Sequence, residues 1–383
     1  MTHTFVTDKL EKQLISYRHW FHEYPELATQ EFKTTKKIKE ILQSWNIRLL
    51  PTALPTGVFA EIGTGSGPIV ALRADLDGLP LQEATGLTFS SKHPHVMHAC
   101  GHDTHIAALL GGAFLLKQQE SRLPGRVRLI FQPAEEDKEG ALQVIADGQI
   151  NGVSSIIGFH NNPNYSTTEF GIRAGVVSGA IDKFKVLLHG VGTHASAPQN
   201  GSDPIVALGA QINALQTISS RNTDPFAAVV LSITHVAAGN TWNILPAESF
   251  FEGTVRTADP VVRTQVKKRF FEIVKYTAKA YGVTAEIDWY AGDPSVNNDP
   301  HLVSVLAKAL NNSATIYPQE KRLGSDDFAC YQAKIPGVYI NIGNNEKISA
   351  HNSQFLADDK IVLQGAIFFE KAALSVLAES QQS

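Results

Sequence analysis

The chain has 383 residues, 43% hydrophobic and 18% charged, an ordinary globular balance with enough length for one large domain or two. Thirty-three Lys and Arg against 37 Asp and Glu leave a formal charge of −4, with no basic run and no basic-aromatic interleaving, which argues against a nucleic-acid partner. The opening MTHTFVTDKLEKQ lacks a basic segment followed by an apolar one, no uncharged apolar run of about 18 residues occurs, and Cys100 and Cys330 are too few for a disulfide scaffold, so a cytoplasmic protein without a membrane partner is expected.

Apolar residues at helical spacing, first Leu10, Leu14, Tyr17 and Phe21, then Phe32, Ile38, Ile41, Leu42 and Trp45, predict two amphipathic helices. Short apolar runs follow at VFAEI, IVALRAD, VRLIF and IIGFH, with the helical stretch DTHIAALLGGAFLLKQQ between the second and third. Strands buried on both faces and alternating with helices predict an α/β domain, its sheet mixed and mostly parallel and flanked by helices. After about Gly179 the pattern changes to strand FKVLLHG, a helix near DPIVALGAQINALQTI, strands through FAAVVLSITHVAAG and SFFEGTVRTA, helix VKKRFFEIVKYTAKAY and strand VTAEIDWY. That β-α-β-β-α-β order predicts a separate α+β, ferredoxin-like domain. From about Ala291 the α/β style returns with HLVSVLAKAL, GVYINIG and IVLQGAIFFEKAALSVLAE. The expected organisation is a catalytic domain of residues 1–178 and 291–383, with 179–290 inserted as a lid.

Residues 97–105, MHACGHDTH, crowd His98, Cys100, His102, Asp103 and His105 at the start of a helix. Gly101 makes the turn pliable, so Cys100 and His102 can face one point, and a helix N-terminus favours a thiolate. Thiolate and imidazole suit a borderline-soft divalent cation; a packed cysteine and packed histidines are the other reading. In VRLIFQPAEE, Pro133 stops the strand and Glu135 and Glu136 fall at its carboxyl end, where open α/β sheets place active sites. Neighbours in extended chain point to different sides, so one carboxylate can bind metal while the other holds water; a solvated acidic turn is the alternative. IIGFHNNP brings His160 to another strand tip, GNNEKISAHNSQF brings His351 to a Gly/Asn-rich loop, and RADLDGLP ends a strand with Asp75 and Asp77. The histidines also read as surface residues, and the aspartates as turn residues or outer carboxylates.

RADLDGLPLQE, MHACGHDTH, FQPAEE, GFHNNP, THASAPQNGSDPI, NTWNILPAESFFEGTVR, GSDDFACY and HNSQF stand in the order found in metal-dependent amidohydrolases of the aminoacylase, hippurate hydrolase and auxin-conjugate hydrolase type. The chain resembles that family, itself related to the glutamate carboxypeptidase-like dinuclear metallopeptidases, over about residues 10–375, and looks closest to bacterial N-acetyl-amino-acid deacetylases. The resemblance implies two divalent cations per subunit, Mn²⁺, Zn²⁺, Co²⁺ or Ni²⁺. Cys100 matches a thiolate bridging both, His102 and His160 ligands to one, and Glu136 and His351 ligands to the other. Glu135 matches the general base, Asp77 a carboxylate that orients a ligand, His194 an oxyanion stabiliser, and Asn243 and Arg256 the receivers of the substrate carboxylate. The chain departs from the pattern at Asp75, Gln199 and Asp326, where relatives of the wider family or this one carry histidine, histidine and glutamate.

The expected activity is cleavage of N-acyl, foremost N-acetyl, amino acids, with homodimerisation through the inserted domain. A metallo-dipeptidase or carboxypeptidase-type exopeptidase is the alternative. Two rivals from other classes remain: a hydrolase with Cys100 as nucleophile, and a hinged small-molecule binding protein without catalysis.

Overall fold

The computed structural model describes residues 2–137, 139–311 and 314–380. The chain divides into two compact units. The first runs through Gly175 and resumes over Asn297–Glu320 and from Asp327 onward; the second is Val176–Val296 together with Lys321–Asp326.

The first unit is built on an eight-stranded sheet in the order Arg48–Leu49, Val58–Ile62, Arg126–Gln132, Ile69–Asp75, Val153–Asn162, Gly337–Gly343, Glu169–Gly171, Thr315–Tyr317. The four strands from Arg126–Gln132 to Gly337–Gly343 run parallel to one another, while Val58–Ile62 and Glu169–Gly171 pair with them antiparallel. Ile69–Asp75 and Gly337–Gly343 are buried at every position, which is why they read as continuous apolar runs rather than alternating ones. From the central strand Ile69–Asp75 the chain moves to Arg126–Gln132 on one side and then to Val153–Asn162 on the other, a switch that opens a crevice beyond the strands' carboxyl ends.

Helices His102–Lys117 and Lys360–Glu379 pack against each other and the sheet, contributing Leu109, Leu110, Phe368, Phe369 and Leu377 to the core. His102–Lys117 is buried from His102 through Ala113, so it carries no polar face. Lys360–Glu379 is long and apolar enough to cross a membrane, yet 56% of its apolar 18-residue window is buried.

The second unit carries a four-stranded antiparallel sheet in the order Val229–Ala238, Glu248–Thr257, Ala180–His189, Thr284–Ala291. Helices Pro204–Arg221 and Pro260–Ala280 pack on it around Phe184, Val186, Leu188, Phe251, Phe270 and Val274, the ferredoxin-like arrangement its element order predicts. Both helices open on the dipeptide Asp-Pro: Asp203 accepts from the amides of Ile205 and Val206, and Asp259 from those of Val261 and Val262. Each aspartate satisfies donors that the first turn would leave unpaired, and proline at the first helical position gives up none that the helix needs.

Candidate metal centre

The candidate site lies at the carboxyl ends of the first unit's parallel strands. Asp75 closes one strand and Asp77 follows it; Pro133 ends the next, with Glu135 and Glu136 beyond; His160 lies near the end of the third. Cys100 and His102 flank Gly101, the N-cap of His102–Lys117, which sits at φ +87. A Cβ there would lie 2.3 Å from Asn161 Nδ2, so the position requires glycine both for its left-handed backbone and for close approach. The Asn161 amide in turn donates to Cys100 O at 2.7 Å.

His102 Nδ1 lies 2.9 Å from Asp77 O, a geometry in which that nitrogen carries the proton and donates it. Its Nε2 is buried with no hydrogen-bond partner among the described residues. His160 repeats the pattern, with Nδ1 2.7 Å from Asn161 O and Nε2 3.3 Å from Cys100 Sγ. Asp77 also accepts the Glu136 amide at 2.9 Å, and His351 Nε2 lies 3.3 Å from Glu136 Oε1. His351 holds φ +64 and is exposed, its amide donating to Ala99 O at 2.8 Å.

These contacts gather the donors into two overlapping sets. Ligand atoms of Cys100, His102 and His160 lie within 4.8 Å of one another, and so do those of Cys100, Glu136 and His351, with Cys100 Sγ common to both. A carboxylate oxygen of Glu135, which is 6% exposed, lies within 4.8 Å of ligand atoms of His102 and Glu136. The five side chains that the resemblance assigns to metal therefore converge, with Glu135 beside them.

The electrostatics suit a cation. Burial pushes the Cys100 thiol far above its ordinary range, so a thiolate here needs positive charge close by. Burial resists charge on His102 too, but Asp75 and Cys100 outweigh it and hold its pKa well up. Glu136, against the same resistance, is held down by His351 and His102.

Asp75 Oδ2 lies 3.7 Å from His102 Nε2, and both Asp75 oxygens are also held by other partners. Arg73 Nη1 lies 2.6 Å from one of its oxygens and His105 Nδ1 2.6 Å from the other. Arg73 also donates to Asp327 Oδ1 at 2.7 Å and Gln132 Oε1 at 2.9 Å, and Gln132 Nε2 donates to Asp327 Oδ2 at 2.7 Å. His105 Nε2 accepts from Asn161. This buried polar layer ties three strand ends together. Sequence reasoning missed it, although an arginine inside the apolar run IVALRAD was its signal.

In the second unit, His194 lies opposite Ile244 in a short ladder, and the Ala195 amide donates to Asn243 O at 3.0 Å, so His194 and Asn243 are neighbours. His194 is exposed, with Nδ1 2.7 Å from Ser196 Oγ. Arg256 lies on a different ladder, opposite Ile181 and Val230, and its Nη1 contacts Ser325 Oγ at 3.3 Å. Desolvation lowers the Arg256 pKa.

Comparison with known proteins agrees with this architecture. Residues 71–375 match the model of the peptidase family M20/M25/M40. The chain is 43% identical over 377 residues to an N-acetyl-L-cysteine deacetylase of Bacillus subtilis, covering 98% of this chain and 90% of that protein. It is 38% identical over 369 residues to thermostable carboxypeptidase 1 of Saccharolobus solfataricus, covering 94% of each. The crystal structure of a Bacillus subtilis dinuclear metal binding peptidase from the M20 family superposes with a TM-score of 0.89 at 38% identity, over 97% of this chain and 99% of the other. With a family match over most of its length, and with relatives this similar end to end, the chain belongs to peptidase family M20/M25/M40.

Proposed function

We propose that this protein is a metal-dependent amidohydrolase that cleaves the amide of N-acyl, foremost N-acetyl, amino acids to a carboxylate and a free amino acid. The observation that carries the reading is the pair of three-donor sets sharing Cys100 Sγ, with Glu135 alongside. The donors fit a cation pair on their own chemistry: His102 Nε2 and Glu136 Oε1 are buried and make no hydrogen bond among the described residues, while His102 Nδ1 is already committed to a carbonyl. His102 and His160 would hold one ion, Glu136 and His351 the other, and Cys100 both. Two divalent cations there supply Lewis acidity toward the amide carbonyl and make water acidic enough to be deprotonated near neutral pH.

The chain's own groups do the rest. Glu135 takes the proton from the attacking water and hands it to the departing amine, whose release as a free amine requires it. Asp77 fixes the His102 ring through its carbonyl and the Glu136 backbone through its carboxylate. From the second unit, His194 would stabilise the tetrahedral oxyanion, and Arg256, with Asn243, would bind the amino-acid carboxylate as a two-pronged donor. N-acetylcysteine and other N-acetyl amino acids come first as substrates, on the relative's name.

The protein is further proposed to form a homodimer through the second unit. Val229–Ala238 is an edge strand that exposes Val230 (44%) and Val236 (49%), with Phe226 and Trp242 exposed near its ends. An unpaired, apolar edge favours pairing with a like edge.

A panel of N-acyl amino acids and dipeptides assayed for amine release, with metal content measured on the same samples, tests the function. Activity should vanish on chelation and return with Mn²⁺, Zn²⁺ or Co²⁺. Glu135→Gln should lose about two to four decades of turnover while keeping its metal. Chelator-resistant activity, or full activity in Glu135→Gln, defeats the reading. Cleavage of dipeptides in preference to N-acyl amino acids supports instead an exopeptidase, which the carboxypeptidase relative favours.

A further inference from the structure

Glu31 is the N-cap residue of helix Phe32–Ser44, but its side chain makes no capping bond. Glu26 caps that helix instead, accepting from the amides of Lys33 at 3.1 Å and Thr34 at 2.9 Å. Released from capping, Glu31 lies fully buried, and its Oε1 accepts the Ala134 amide at 2.8 Å, a contact spanning 103 positions. Its Oε2 has no hydrogen-bond partner among the described residues.

Ala134 holds φ +55, in the left-handed region, and immediately precedes Glu135 and Glu136. Such a backbone is strained for an alanine and persists only where the surroundings impose it. The surroundings here grip the turn from several sides. The Gly140 amide donates to Ala134 O at 3.1 Å. Gly57, whose amide donates to Thr35 Oγ1 at 2.9 Å, passes so close to Pro133 that a Cβ would lie 2.9 Å from its Cδ. Glu31 and Thr35 thus bring the start of one helix onto the turn that carries both site carboxylates. Keeping a carboxyl there is itself costly: burial, with the nearby charge of Asp77 adding to it, pushes the Glu31 pKa up to about 7.

We propose that Glu31 is a positioning residue: by accepting the Ala134 amide it holds the left-handed turn that aims Glu136 at its cation and Glu135 at the water. It touches neither substrate nor metal, and the proposal rests on the metal-site reading of Glu135 and Glu136. What it requires of Glu31 is an acceptor at the reach of Oε1. Glu31→Gln keeps that acceptor without the charge, and Glu31→Asp keeps the charge but falls one methylene short.

Three variants, Glu31→Gln, Glu31→Asp and Glu31→Ala, are compared with the wild type in two measurements: hydrogen exchange at the Ala134 amide in metal-free protein, and Mn²⁺ affinity by chelator competition. Glu31→Gln should stay within about threefold of wild type in both. Glu31→Asp and Glu31→Ala should exchange the Ala134 amide faster and bind Mn²⁺ about 10–100-fold more weakly, the loss typical of outer partners of metal ligands. Should Glu31→Ala fail to fold, the Gln and Asp variants still decide. Equal losses in the Gln and Asp variants overturn the clamp, as does wild-type Mn²⁺ affinity in all three. If the wild type itself binds no divalent cation, the metal reading fails, and exchange at Ala134 alone then decides whether Glu31 holds the turn.

Discussion

Replacing Gly101 with alanine tests how tightly the backbone between two proposed ligands is specified. Two costs add. At φ +87 an alanine incurs about 1–2 kcal/mol of left-handed strain. Its Cβ, 2.3 Å from Asn161 Nδ2, must also displace an amide that donates to Cys100 O at 2.7 Å and lies 3.1 Å from His105 Nε2; losing both bonds costs about 1 kcal/mol each. The sum is about 3–4 kcal/mol. Gly86 supplies the control, since its φ is +74 and nothing lies within 4 Å of a Cβ there, so Gly86→Ala should cost only the strain. Thermal denaturation of the metal-free variants should show Gly101→Ala lowered clearly further than Gly86→Ala, and chelator competition should show weakened Mn²⁺ binding in Gly101→Ala alone. If the two alanines are equally mild, or Mn²⁺ binding is unchanged in Gly101→Ala, the reasoning is wrong.

His22 makes stability depend on pH. Burial opposes its charge, but Asp103 at 3.0 Å and Glu83 at 3.2 Å outweigh it and raise its pKa from 6.5 to about 9. Because the folded value is the higher one, the contribution, about 3 kcal/mol at most, is complete below pH 6.5 and disappears as pH rises through about 9. Urea titrations at several pH values in that window should therefore slope downward in the wild type and flatten in His22→Gln; parallel slopes would contradict this. For the edge strand, a Val230→Lys, Val236→Lys double variant should run at half the wild-type mass in light scattering, and an unchanged mass rejects that interface.

The parts of the site that local pattern encodes were legible in the sequence. His160 and the two glutamates stood out because a polar residue at the tip of an apolar strand needs a reason to be there. His351 was different, since nothing in a Gly/Asn-rich loop fixes where its side chain goes; only the order of the motifs pointed to it. Long-range pairing was not legible. Nothing local to IVALRAD shows that Asp75, Gln132 and Asp327 close around Arg73. Nor does local pattern single out Glu31, because its partner is far along the chain. The three-residue strands Glu169–Gly171 and Thr315–Tyr317 are too short to show a period. Lys321–Asp326, which groups with the second unit, carries no change of composition that would have separated it from its neighbours.

The strand Gly337–Gly343 is inserted between Val153–Asn162 and Glu169–Gly171, although it is made from residues near the other end of the chain. Until it arrives, that half of the sheet lacks its spacer, and His351, only eight residues further on, has no anchored chain to hold it. The chain must therefore be synthesised through His351 before all five proposed donors can meet. Cation capture at the proposed site consequently waits for that segment, and fragments cut short upstream of Gly337 lack the last proposed donor altogether.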